Sequence, residues 1–380
     1  MMKFDYPLFV TKPLLPPLAD FYKMLEEIWD SKWLTNMGSK HKLLEEKLRT
    51  ELMVSNVSLF NNGTIALLTA LKALDLPVGS EVITTPFTFA ATPHCISWNN
   101  LKPIFCDIEP NTMTIDFRKI KALITPNTSA ILGVHVYGFP CDIKEIQAIG
   151  QKYGLKIIYD AAHSFATEID NIGIGNFGDI TMFSFHATKL FHTAEGGCLT
   201  YDNRDLSNKI YNLRNFGIRS EDKVEDIGIN GKMNEIQAAL GLLNLKLYRD
   251  EQQKRIHVKK RYIDNISTLK GIRIPRLPPN VKDSCQYFPV VIENDFPVTR
   301  NAVYNVLREH NVFARKYFYP LCSDYEPYRA LPSSAKENLS VANEVKNQVL
   351  CLPFYGELRD EEIDRICEIV SDEAKKWNLQ

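Results

Sequence analysis

Several absences narrow the chain before any motif is read. No apolar run approaches the length of a membrane-spanning helix, and the opening Met1-Met2-Lys3-Phe4-Asp5-Tyr6-Pro7, followed by Pro13, Pro16, Pro17 and Asp20, does not fit a secretory h-region. The eight cysteines (95, 106, 141, 198, 285, 322, 351 and 367) are scattered, with no C-x-x-C and no spacing of a metal site. We therefore expect reduced thiols, no metal and a cytoplasmic protein. Charge is nearly balanced, 45 Lys+Arg against 46 Asp+Glu, which excludes a global attraction to nucleic acid or to an anionic membrane and leaves only local phosphate-binding patches. No G-x-x-x-x-G-K-[ST] occurs. The letters G-x-G-x-x-G do occur at Gly173 to Gly178, but they precede the strand-like Asp179 to Phe185 instead of opening a helix, so they read as a glycine-rich turn. Internal repeats and low-complexity tracts are also missing.

What is present is an alternation of short apolar strands with amphipathic helices. Residues 18 to 31 and 40 to 53 repeat at helical spacing around a loop at Trp33 to Gly38. Strands are predicted at Val57 to Phe60, Glu81 to Thr85, Lys102 to Asp107, Ser129 to Tyr137, Leu155 to Asp160 and Asp179 to Phe185, with helices after Gly63, after Phe89 and from Ile143 to Tyr153. Spacing of this βαβ kind implies an α/β protein whose largely parallel sheet is covered on both faces and binds ligands beyond the carboxyl ends of its strands. A helix at Leu206 to Leu213 and a loop at Phe216 to Lys232 lead to a long helix from Met233 to about Ile263. Beyond it the composition shifts through Pro275, Pro278 and Pro279 to a strand at Cys285 to Ile292, a helix at Thr299 to Glu309 and a final helix at Asp360 to Trp377. With 380 residues, the expectation is a large domain over residues 1–263, long helix included, and a smaller α+β domain over residues 264–380.

The chemistry centres on Met182-Phe183-Ser184-Phe185-His186-Ala187-Thr188-Lys189, closed by Ala194-Glu195-Gly196-Gly197. An amine attacks carbonyls only when its charge is suppressed, and Phe183, Phe185, Leu190 and Phe191 give Lys189 an apolar frame for that. A lysine packed between aromatic residues with its charge in water fits the same letters. Gly63-Thr64 after a strand offers helix N–H groups and a hydroxyl to a phosphate, or an ordinary N-cap at Thr64. Asp160 ends a strand, either capping the next turn or aiming a carboxylate into the site, with His163 three residues on.

Taken in order, Asn62-Gly63-Thr64, Thr85-Pro86-Phe87-Thr88-Phe89, Phe105-Cys106-Asp107-Ile108, Asp160-Ala161-Ala162-His163, Ser184 to Lys189, Gly228 to Met233 and Leu352-Pro353-Phe354-Tyr355 resemble the DegT/DnrJ/EryC1/StrS family of pyridoxal-phosphate sugar aminotransferases over nearly the whole chain. The resemblance implies a type I aminotransferase fold and a homodimer with sites at the subunit interface. It implies that Lys189 carries pyridoxal 5'-phosphate as a Schiff base and shuttles protons, and that Asp160 pairs with the pyridine nitrogen. Gly63, Thr64 and Ser184 fall at the phosphate cradle, Phe89 at the aromatic residue on the ring, and Asn230 at the residue reaching the phosphate from the neighbouring subunit. His163 falls where a residue contacts the 3′ oxygen of the cofactor. His there is associated with amination at C4 of the sugar and Gln with amination at C3.

The expected reaction is transfer of the amino group of L-glutamate to a dTDP-linked 4-keto-6-deoxyhexose, giving dTDP-4-amino-4,6-dideoxyglucose for surface polysaccharide such as lipopolysaccharide O-antigen. Alternatives are C3 amination of a dTDP-3-keto sugar, 4-amination of a UDP- or GDP-linked keto sugar, and a non-catalytic cofactor-binding regulator. Dehydratases of the same family replace the lysine, and Lys189 is present. The segment Arg315 to Pro320 matches the family's aromatic stretch only loosely, so the sugar pocket is not assigned from sequence.

Overall fold

The computed structural model describes residues 3–377. Seven strands form its main sheet: β1 (Asn56–Phe60), β2 (Glu81–Thr84), β3 (Lys102–Phe105), β4 (Thr128–Val134), β5 (Lys156–Asp160), β6 (Ile180–Ser184) and β7 (Gly197–Tyr201). Their spatial order is β1-β7-β6-β5-β4-β2-β3. Neighbours from β3 to β6 run parallel, and β7 alone is antiparallel to both its partners. Alternation within the strands supplies two cores, one on each face: Ala130, Leu132 and Ile158 pack with the helix Gly63–Ala73, while Ile131, Ile157 and Phe183 pack with Leu44 and Leu48 of the helix Ser39–Glu51. This is the α/β architecture expected from the strand and helix spacing.

Helix boundaries follow local signals. Asp142 caps Ile143–Tyr153 by accepting from the Glu145 N–H, and Gly154 closes it in the left-handed region at φ 67°. Asn234 and Gln237 form a capping box at the start of the 32-residue helix Glu235–Ile266. Two helix starts are capped from a distance. Glu235 accepts from the N–H groups of Lys40 and His41 at 2.8 and 3.0 Å, and Asp107 accepts from Val341 and Ala342 at 3.1 and 2.8 Å. Asp107, quoted above for its motif, thus fastens the helix Ser340–Gln348 to the end of β3.

The C-terminal elements gather on a third core in which Val258, Tyr262 and Ile266 of the long helix meet Phe288, Val290, Leu350, Leu352, Ile363 and Ile366. Its sheet pairs Phe288–Ile292 antiparallel with Ile272–Arg273 and Val349–Leu352. We propose to keep the division at residue 263 for description, with one addition: Leu8–Phe9 pairs with Val312–Phe313, and Leu8 is buried in this third core.

Four details differ from the sequence reading. The helix Gly63–Ala73 is capped by Asn62, which accepts from Ile65 N–H at 2.8 Å, leaving Thr64 exposed on the first turn. β4 stops at Val134, because Tyr137 turns to φ 58° and donates its N–H to His163. The stretch Phe216 to Lys232 contains an exposed hairpin, Ile218–Ser220 with Lys223–Val224, whose polar composition hides the strand pattern. After the proline-rich linker Val281–Lys282 pairs antiparallel with Glu168–Ile169, but the strand expected from Cys285 begins only at Phe288, since Ser284 to Tyr287 are diverted towards the site described next.

Candidate active site

β5 delivers Asp160, 5% exposed, at its carboxyl end. Oδ2 accepts from the Thr92 hydroxyl at 2.9 Å and Oδ1 from the Ala162 N–H at 3.1 Å. Thr92 in turn shares a hydrogen bond with Thr88 at 2.9 Å, so the short helix Ala91–Trp98 orients the carboxylate. Burial pushes the Asp160 carboxyl up, and the Ala162 N–H, the Thr92 hydroxyl and the charge of Lys189 pull it back. The carboxylate is therefore held by two neutral donors, with room in its electrostatics for a cation.

His163 lies one turn further on, 8% exposed. Its Nδ1 accepts from the Tyr137 N–H at 3.0 Å, which leaves the proton on Nε2. Burial first, and the Lys189 charge second, hold the imidazole well below its usual pKa, so it is neutral and a donor. The rings of His163, Tyr137 and Phe318 lie parallel, each pair of centroids 6.1 to 6.4 Å apart so that none stands between the other two, and Tyr287 meets His163 edge-on at 5.0 Å.

Lys189 leaves β6 in a tight turn, its N–H donated to His186 C=O at 2.9 Å. Burial pushes its ammonium down to about 8 against the opposing pull of Asp160. Nζ stands 5.6 Å from the centroid of the Tyr287 ring. Of the two sequence readings, the structure supports a lysine held among aromatic rings near a buried carboxylate over one whose charge trails into water.

The glycines beside this cluster define a small cradle. A Cβ on Gly63 would stand 3.1 Å from Ser184 Cβ and 3.2 Å from its Oγ, and one on Gly197 would stand 2.8 Å from Gly63 Cα. Only bare backbone lets β6, β7 and the helix Gly63–Ala73 converge so closely. Asn62 consumes the Ile65 N–H, so the first-turn N–H groups of Gly63 and Thr64, with the Thr64 hydroxyl and the Ser184 hydroxyl packed against Gly63, are the donors available to an anion here. These residues fit pyridoxal phosphate at both ends: donors for a phosphate, and the Asp160 carboxylate for a protonated ring nitrogen.

Phe89, 63% exposed, begins the turn into Ala91–Trp98 and presents a large bare ring near Asp160's partner Thr92, whose N–H it accepts at 3.2 Å. Asn230 is not brought to Lys189. It lies exposed on the segment before the long helix, its carbonyl accepting from Asn61 Nδ2 at 3.4 Å. Thr88, Thr92, Tyr137, Gln286, Tyr287 and Phe318 belong to the site and were not singled out from sequence as site residues. Thr88 and Thr92 carried a signal, two hydroxyls at i and i+4 on a helix start; Phe318 lies in the aromatic stretch Arg315 to Pro320, whose loose match left it unassigned, and Tyr137, Gln286 and Tyr287 carried none.

Residues 18–371 match the model of the DegT/DnrJ/EryC1/StrS aminotransferase family. The chain belongs to that family. Among its relatives, the dTDP-4-amino-4,6-dideoxy-D-glucose transaminase of Shigella dysenteriae is 44% identical over 97% of this chain and 99% of its own length. The transaminase of the same name from Escherichia coli is 44% identical over 95% of this chain and 97% of its own. Among solved structures of the family's fold, DesI, crystallised in the presence of its TDP-sugar product, superposes with a TM-score of 0.94 at 32% identity, covering 100% of this chain and 96% of DesI. Helicobacter pylori PseC, an aminotransferase of pseudaminic acid biosynthesis, gives 0.91 at 28% identity over 97% of this chain and all of PseC. A type I aminotransferase fold and an aminotransferase activity follow from this membership. Among the described residues no helix is long and apolar enough to cross a membrane.

Proposed function

We propose that the protein transfers the amino group of L-glutamate to C4 of dTDP-4-keto-6-deoxyglucose, giving dTDP-4-amino-4,6-dideoxyglucose. The observation that carries this is the identity of 44% across nearly the full length of two transaminases named for that product, together with a neutral, donating His163 beside Lys189.

Pyridoxal phosphate, when bound, supplies an electron sink for the negative charge left when the Cα proton of an amino acid is removed. The chain's own residues supply the rest. The N–H groups of Gly63 and Thr64 and the hydroxyls of Thr64 and Ser184 would hold the phosphate, and Phe89 would cover one face of the ring. Asp160, fixed by Thr92 and Ala162, would keep a proton on the ring nitrogen, while His163 Nε2–H would donate to the ring oxygen. Lys189, with its pKa brought down to about 8, can be neutral near working pH and so would take a proton from Cα of the donor and return it at C4′ of the cofactor.

In the proposed homodimer, Asn230 would reach the phosphate held by the partner. Its segment exposes Phe216, Val224, Ile227 and Ile229, at 50%, 68%, 93% and 42%, an unusual density of bare apolar side chains for a free surface. The test combines both proposals. The protein is incubated with glutamate and a panel of dTDP-, UDP- and GDP-linked 4-keto and 3-keto sugars, and the product is identified by NMR. The expected outcome is amination at C4 of the dTDP sugar; preferred turnover of any other member refutes the substrate assignment. Lys189→Ala and Asn230→Ala are then mixed under subunit exchange. A mixed dimer has one site with Lys189 and a partner Asn230 both intact, so activity should return in part, and an inactive mixture despite proven exchange refutes the shared site.

A further inference from the structure

We propose that Gln286 is a positioning residue for Lys189, its carboxamide gripping the lysine turn on both sides and tying it to the long helix. The inference rests on Lys189 being the reacting amine.

Gln286 is 2% exposed. Its Oε1 accepts from the Leu190 N–H at 2.8 Å and its Nε2 donates to Thr188 C=O at 2.9 Å. These are the peptide groups on either side of Lys189. A carboxamide offers one acceptor and one donor side by side, as a neighbouring strand would, and so fixes a turn that belongs to no regular element. Asparagine is too short for the same reach, and glutamate can accept but not donate.

The grip is anchored elsewhere. Cys285, at φ 55°, is locked by Asp283, whose Oδ1 accepts its N–H at 2.8 Å. Three residues on one face of the long helix then hold this pair. Gln252 Nε2 donates to Asp283 C=O at 2.8 Å, Arg255 Nη1 to Cys285 C=O at 3.3 Å, and Lys259 pairs with the Asp283 carboxylate at 2.6 Å. On either side of Gln286 the same segment touches the rest of the site. The Ser284 hydroxyl donates to His163 C=O at 2.8 Å, and the Tyr287 ring faces Lys189 Nζ. Four consecutive residues thus brace Lys189, which must meet the substrate, and His163, which would meet the cofactor, and displacement of about 1 Å in such groups costs as much as 100-fold in rate.

Gln286→Met keeps the shape and removes both hydrogen bonds. Gln286→Glu keeps the acceptor for Leu190, loses the donor to Thr188 and adds a negative charge. Both are examined first without cofactor or sugar, by amide exchange at Leu190 and by the pH profile of Lys189 modification with trinitrobenzenesulfonate, read by peptide mass spectrometry. The groups facing the amine are Asp160, which favours its charged form, and His163 and Tyr287, both neutral. The expected result for Gln286→Met is exchange at Leu190 faster by about tenfold or more and a modification midpoint displaced from about 8 towards the ordinary lysine value of 10.5. With cofactor restored, kcat for the glutamate half-reaction should fall by roughly 10- to 100-fold with KM within about twofold.

A folded variant with unchanged Leu190 exchange and an unchanged Lys189 profile overturns the proposal, even if its melting temperature falls. Should Gln286→Met not fold, Gln286→Glu decides: its profile must move upward, and a static one refutes the assignment. The cofactor-free measurements involve no sugar, so a wrong sugar assignment leaves them untouched.

Discussion

Asp160 and Gln286 both act on Lys189 from buried positions, yet they are held in opposite ways. Asp160 closes a strand inside a seven-stranded sheet, and its orienting partners, Thr92 and Ala162, belong to the strand-end and helix-start segments that same sheet carries. Gln286 lies in an irregular segment whose place depends on Asp283, Cys285 and three residues of the long helix. One side of the site is therefore as rigid as the sheet, whereas the other is as rigid as the contact between the C-terminal elements and that helix. In the proposed mechanism the electronic task falls to the first side and the placement of the amine to the second.

The sharpest way to break this division is to remove the amine itself. Lys189→Ala should lower turnover by about 10⁴-fold or more, because both the covalent attachment and the proton shuttle disappear. Pyridoxal phosphate should still bind non-covalently through the cradle at Gly63, Thr64 and Ser184, which equilibrium dialysis would register; turnover near that of the wild type would refute the role given to Lys189. Next in size comes Asp160→Asn. It preserves shape and should slow the glutamate half-reaction by about 10²- to 10³-fold in stopped flow, with cofactor content little changed. An unchanged half-reaction would mean that the sheet side has no electronic role.

The smallest effect belongs to Tyr287→Leu, on the placement side. The ring's attraction for the ammonium is worth about 0.5–1 kcal/mol, so the midpoint of Lys189 modification should drop by roughly half a pH unit. The sign is fixed: a ring face stabilises the charged form, and losing it makes deprotonation easier. An upward displacement would show that Tyr287 acts mainly by excluding water from the amine.

The sheet side was also the more legible in sequence. Its strands are short apolar runs read by alternation, and the residues at their ends, Asp160 and Ser184, occupy positions where an α/β sheet binds ligands. Gly63 could be named from a strand followed by a helix start, although the cap proved to be Asn62 and not Thr64. The placement side was not legible, since nothing in Ser284-Cys285-Gln286-Tyr287 marks a departure from strand geometry before Phe288. That departure comes from Asp283, whose side chain turns back on Cys285, and from Arg255, which meets the segment only in three dimensions. The hairpin at Ile218–Ser220 and Lys223–Val224 escaped for a related reason: all its residues are exposed, so no apolar alternation betrays it.

The helix Glu235–Ile266 has a consequence for how this chain can change in length. Its first residue caps Ser39–Glu51, and Gln252, Arg255 and Lys259 hold the segment that carries Gln286. At about 100° per residue, one amino acid inserted between Gln237 and Gln252 would swing those three side chains away by more than a quarter-turn. Seven inserted residues would restore the phase but push the far end out by about 10 Å. A change of length in the exposed hairpin Ile218 to Val224 leaves this register intact, but the 14 residues between Gln237 and Gln252 form a spacer in which neither an insertion nor a deletion is neutral.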